Sequence, residues 1–197
     1  MVERVIKVIV NQMESENIIV TDMKEYYLYA LLTMVEKIIT ISTIICISAI
    51  FQNVIPTLFF LVSFLSLRQR TGGYHADKFW KCYIGTIVTY ILIQYFSNIL
   101  VEQMKIVYVG VLISCVIICV IGTVNHPNME FTAFELQESK KAARYLLILE
   151  CLFLVAIDAL KICKCCVVYM SVAIILCAFL LCLAKIKKQE VIVYEKK

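Results

Sequence analysis

Long apolar tracts alternate with short polar breaks along most of the chain. Ile38 to Phe51 and Val54 to Leu67 are interrupted only by Gln52-Asn53; Cys82 to Val101 and Met104 to Gly122 by Glu102-Gln103; Tyr145 to Leu160 and Cys165 to Leu183 by Lys161 to Lys164. Breaks this short join neighbouring antiparallel helices. The pattern predicts an all-α membrane protein of about six transmembrane helices, paired as three hairpins. Ahead of them, Val2, Val5, Ile6, Ile9, Val10 and Met13 recur at helical spacing opposite Glu3, Lys7, Asn11 and Glu14, which predicts an amphipathic helix for a membrane interface or a partner helix. Asp22 to Lys37, with Tyr26, Tyr27 and Tyr29, reads as an interfacial lead into the first span. The expected organisation is therefore interfacial helices over 1–37, one transmembrane domain over 38–184 and a basic tail over 185–197.

The first two apolar cores are each about 14 residues long, short of the roughly 20 that cross a hydrocarbon core. Thr33 to Lys37 extends the first, but the second cannot pass Arg68 without burying charge, which places Arg68 at or just below the headgroups. Pro56 sits near the start of that second tract, where a helix tolerates it.

Composition sharpens this picture. The 197 residues are 62% hydrophobic, well above the roughly 45 to 50% of soluble domains. A net charge of +4 does not argue for nucleic acid, because the cations punctuate the apolar tracts and form no continuous stripe. The charged start, Met1 to Asn17, lacks the apolar core of a secretory signal and is expected to be retained. Of the 19 Lys and Arg, sixteen fall on the side of both termini and of the 68–82 loop and three (Lys105, Lys161, Lys164) on the other, so termini and loop are expected in the cytoplasm.

The chemistry concentrates in Arg68-Gln69-Arg70-Thr71-Gly72-Gly73-Tyr74-His75-Ala76-Asp77-Lys78-Phe79-Trp80-Lys81-Cys82. A neutral imidazole takes the proton of a thiol, and neighbouring cations or a helix N-terminus favour the thiolate. His75 and Cys82 are the catalytic candidates. On one straight helix their Cα atoms would lie about 10.5 Å apart along the axis, too far for direct contact. Gly72 and Gly73 are therefore expected to act as a hinge that folds His75 back over a helix starting near Ala76 or Asp77, with Asp77 as its cap. Arg68 and Arg70 are candidates for binding a substrate carboxylate or an oxyanion, against the plainer reading that they mark the membrane boundary.

Rival sites are weaker. Cys163, Cys165 and Cys166 lack a fourth ligand and paired spacing, so neither a metal nor another cofactor is expected. Cys46, Cys115, Cys119, Cys151, Cys177 and Cys182 lie in apolar runs and read as packing residues. His126, in Asn125-His126-Pro127-Asn128, is a secondary candidate that reads more simply as a loop residue. Glu150 and Asp158, eight apart in the fifth tract, share a helical face and either line a path or bracket a shallow span. They carry the alternative function, a small transporter or channel for ions or peptides; a membrane scaffold without enzymatic activity is a third reading.

Arg68-x-Arg70-x-Gly72-Gly73-x-His75-Ala76 with Cys82, the length near 200 residues and the Asn-His-Pro-Asn loop with its charged continuation resemble the accessory gene regulator B family, membrane peptidases that mature quorum-sensing propeptides in Gram-positive bacteria. The resemblance implies a cysteine endopeptidase in a bacterial cell membrane, with Cys82 as nucleophile, His75 as base, and Arg68 and Gly73 also required. By the same resemblance, Cys82 removes the acidic tail of a propeptide that also carries an amphipathic N-terminal segment. The rest is held as a thioester until an internal Cys or Ser closes a thiolactone or lactone. Homodimers are typical of the family. The chain departs from it at Tyr29-Ala30, where a glycine is expected at the head of the first span; Glu36 is a secondary candidate there, as Asp77 is beside the histidine.

Overall fold

The computed structural model describes residues 2–16, 18–20, 23–73, 79–124 and 132–187. Among them are seven helices and no strand: α1 Val2–Ser15, α2 Lys24–Ile50, α3 Val54–Thr71, α4 Phe79–Glu102, α5 Met104–Ile121, α6 Ala133–Ala159 and α7 Lys164–Ile186. The chain forms two compact units, Met1–Ile47 and Ser48–Lys197.

In the first unit, α1 is held by the opening turns of α2. Ile6, Val10 and Ile19 are buried against Leu28, Leu31 and Leu32, and Lys24 Nζ pairs with Glu14 Oε2 at 2.6 Å. The apolar face read from sequence is thus divided: Ile6 and Val10 face α2, while Val5 (55% exposed) and Ile9 (46%) stay open. The tyrosine-bearing lead is no separate element, since α2 runs unbroken from Lys24.

In the second unit α7 is the axis, packing against α3, α4, α5 and α6. Val167, Ile174 and Leu181 of α7 are fully buried with Leu67 and Ile118, and Ala173, Cys177, Ala178 and Ala184 keep its surface small enough for neighbouring backbones to approach. The opposite faces carry large exposed apolar side chains, as on α5 at Leu112, Val116 and Val120, the signature of helices that meet lipid. Four helices, α2, α4 from Trp80, α5 and α7, are long and apolar enough to cross a bilayer. The chain is a multi-pass membrane protein. α3 loses apolar length to Arg68 and Arg70 in its last turn, and α6 carries Arg144, Glu150 and Asp158.

Two breaks between tracts close as Schellman turns on residues other than glycine. Gln52 (φ 57) follows α2, with Asn53 N–H bonding Ser48 O at 3.0 Å, and Lys161 (φ 52) follows α6, with Ile162 N–H bonding Ile157 O at 3.3 Å. Beyond the Gln52 turn, Gln94 joins three helices. Its Oε1 accepts from Asn53 Nδ2 (2.9 Å) and from Tyr169 Oη (2.5 Å), and its Nε2 donates to Tyr90 Oη, itself 2.6 Å from Thr57 Oγ1.

Candidate active site

The end of α3 is where the motif begins, and several of its last carbonyls, which a helix leaves without partners, are engaged. Arg70 O accepts from both Thr123 Oγ1 and Ser139 Oγ at 2.9 Å, and Thr71 O accepts from Val124 N–H at 3.0 Å. Gly72 O accepts from Arg68 Nη1. The motif is thereby pinned to the segment after α5 and to the first turns of α6.

Gly72 (φ +66) and Gly73 (φ +116) both occupy the backbone region that favours glycine. Space forbids a side chain as well. A Cβ on Gly72 would lie 2.8 Å from Val124 O, and one on Gly73 would overlap Arg68 Nη1 and approach the Leu180 backbone. Gly122 mirrors this turn at the end of α5, with φ +72 and its N–H on Ile118 O at 2.8 Å.

Cys82 lies on the first turn of α4 and is exposed. The Arg68 guanidinium is within electrostatic range of Cys82 and of the buried Cys177. The two arginines of the motif differ sharply. Arg68 is half-buried and folded back onto its own helix end, whereas Arg70 is exposed and makes no ion pair with a described residue. Arg70 lines a cleft of about 490 Å³ with Gln69, Phe134, Glu135, Glu138, Ser139 and Ala142. The acids of this cleft are already engaged: Glu138 pairs with Lys141 at 3.1 Å, and Glu135 closes a capping box with Thr132 at the start of α6. The Thr132 hydrogen bonds hold the Glu135 carboxyl below its ordinary value.

His75, Asp77 and His126 lie outside the described residues, and with them the expected imidazole to thiol contact. Glu36 is half-buried on α2 in the first unit. Glu150 and Asp158 are not brought together. Glu150 is buried toward α3, where Oε1 accepts from Ser66 Oγ at 2.7 Å and Oε2 has no partner among the described residues. Asp158 instead meets the Tyr108 hydroxyl. Cys163 caps α7, accepting from Cys166 N–H at 3.3 Å, and no metal-holding cluster occurs among the described residues. Thr123, Val124 and Ser139, which fix the motif, were not anticipated from sequence; the available signal was Gly122, a second glycine closing an apolar tract.

Fold and motif define a polytopic helical membrane protein with an arginine-braced double-glycine turn and an accessible thiol at the head of the following helix. The family model for accessory gene regulator B matches residues 5–188. The chain belongs to that family, whose members take part in processing quorum-sensing propeptides at membranes. Neither a curated protein nor a solved structure matches it.

Proposed function

We propose that the chain is a membrane-embedded cysteine endopeptidase that removes the acidic C-terminal tail of a quorum-sensing propeptide and passes the remainder to cyclisation. The observation that carries this reading is the family match together with an exposed Cys82 on the first turn of α4. His75 takes the Cys82 proton, and the thiolate attacks the scissile carbonyl. The C–N bond breaks as His75 returns the proton to the leaving amine of the tail. A thioester remains, and its acyl group stays activated, so an internal thiol or hydroxyl of the substrate displaces Cys82 without ATP and closes the ring. Water must be kept from the thioester meanwhile, a task suited to a recess at the membrane surface. Arg70, exposed in its cleft, is the residue proposed to receive a substrate carboxylate.

In this reading α3 and α6 also cross the bilayer, making six spans in three hairpins over 38–184, with 1–37 at the interface and 185–197 as a tail. Both termini and the 68–82 loop face the cytoplasm in this reading, which the distribution of sixteen cations against three supports. A homodimer is the expected assembly.

The test is cleavage of a propeptide with an acidic tail, sought in the reading frames that neighbour this one, by protein purified into proteoliposomes. Cys82→Ala and His75→Ala are expected to release no tail; a Cys82→Ala protein that still cleaves would overturn the assignment.

A further inference from the structure

Two thiols meet between helices. Cys115 of α5 and Cys151 of α6 hold their Sγ atoms 3.5 Å apart, within sulfur hydrogen-bond distance. Both are half-buried at the rim of the core, and the side chains beside them, Leu112, Val116 and Leu152, are exposed on the faces that meet lipid. Each cysteine sits six residues, about 9 Å along the axis, inside the apolar tract that ends at Ile121 on α5 and begins at Tyr145 on α6. Packing alone explains a cysteine in such a tract. Two thiols in contact on different helices are also the geometry from which a disulfide closes. A bond of about 2.05 Å needs the sulfurs to approach by about 1.5 Å, which side-chain rotation and a small shift of the helices supply. The same two elements carry the clamp on the motif. Thr123 and Val124, just past α5, and Ser139 on α6 hold the carbonyls of Arg70 and Thr71.

We propose that Cys115 and Cys151 are a redox site open to the bilayer, which a lipid-soluble quinone oxidises to a disulfide tying α5 to α6. Two S–H bonds give way to one S–S bond; two electrons and two protons pass to the quinone, which leaves as hydroquinone. A quinone fits because the pair lies within apolar tracts beside lipid-facing side chains, where a water-soluble oxidant is scarce. The bond fixes the spacing of the two elements that grip Arg70 O, so the redox state of the membrane bears on how firmly the glycine turn is held. The inference rests on α6 being one of the six spans, and on no chemistry at Cys82.

The full-length protein in nanodiscs, reduced first, is treated with a fully substituted lipophilic benzoquinone; remaining thiols are then blocked and peptides read by mass spectrometry without reductant. A cross-linked peptide joining Cys115 to Cys151, two hydrogens lighter than the free pair and reversed by dithiothreitol, is the expected product, formed faster than with hydrogen peroxide at the same concentration. Cys119→Ala, one turn from Cys115, is expected to cross-link as the wild type does, and Cys151→Ala to leave Cys115 free. In the oxidised protein amide exchange at Val124 is expected to slow by about threefold or more. The thermal midpoint, read from labelling of the buried Cys177, is expected to rise by about 5 to 10 °C. Phenylarsine oxide, which bridges two adjacent thiols with loss of water, probes the pair independently of any oxidant. Thiols that the arsenical bridges but the quinone leaves reduced would overturn the redox site, as would a pair that neither reagent joins. Oxidation by peroxide as fast as by quinone would overturn the bilayer as the source of the oxidant, and a disulfide that leaves Val124 exchange unchanged would overturn the link to the motif.

Discussion

Replacing Gln94 with leucine removes a side chain that ties α3, α4 and α7 together near the Gln52 turn. Gln94 is 6% exposed and makes three hydrogen bonds with Asn53, Tyr90 and Tyr169. Inside a membrane bundle such bonds average about 0.6 kcal/mol each, so their loss amounts to about 2 kcal/mol. The cost does not climb to the full desolvation of the stranded hydroxyls, because Tyr90 keeps Thr57 at 2.6 Å and Tyr169 has Ser97 within reach. Cys166 (2% exposed) and Cys177 (1%) are buried thiols, so maleimide labelling read at these two residues by peptide mass spectrometry reports unfolding, apart from the exposed Cys46, Cys82 and Cys119. In detergent, Gln94→Leu is expected to lower the midpoint of maleimide labelling by about 4 to 8 °C. Tyr169→Phe combined with Gln94→Leu should cost less than the sum of the two, since both delete one shared bond. A Gln94→Leu protein melting with the wild type, or strict additivity in the double variant, would refute the network as a source of stability.

Three further outcomes follow from local geometry. Lys161→Gly relieves a left-handed residue at the C′ position of α6 and is expected to add about 0.5 to 1 kcal/mol, read as a higher midpoint in the same thermal assay. Gly72→Ala places a Cβ 2.8 Å from Val124 O and so breaks the bond from Val124 N–H to Thr71 O; propeptide cleavage is expected to fall at least about tenfold while the thermal midpoint moves little. At the start of α6, the carboxyl of Glu135 is held below its ordinary value of 4.5, so its contribution is present above that value and lost as pH falls through the depressed one. Amide exchange over 133–137, corrected for intrinsic rate, should therefore accelerate on acidification in the wild type, and Glu135→Gln should remove that dependence.

The helices were largely legible in the sequence because apolar tracts long enough to meet lipid leave little alternative, and the breaks at Gln52-Asn53, Gln103 and 161–163 each fall where polar residues gather. Charge misled in one place. The fifth apolar tract reads as starting at Tyr145, yet residues 133–144 form the first turns of the same helix, α6, since a helix end in water carries charge freely. Thr132-x-x-Glu135 is the capping-box signature that marks its start.

The motif was visible as a cluster of residue types, and its glycines as positions that need positive φ. What spacing did not reveal is that Arg68 folds back onto its own helix end while Arg70 stays exposed. That depends on Arg68 being four residues before Gly72, near enough for its side chain to reach the helix's own terminal carbonyl. Gln94 was equally silent, because one polar residue in an apolar tract announces burial but not its partners, which come from sequence positions as distant as Asn53 and Tyr169.

The proposed chemistry is tested most directly by intact-mass analysis of the protein mixed with its propeptide and quenched in acid within the first turnover. A mass increase equal to the propeptide without its tail, located on Cys82 and removed by neutral hydroxylamine, is the expected result. Tail release with no adduct on Cys82, or an adduct that persists in Cys82→Ala, would contradict it.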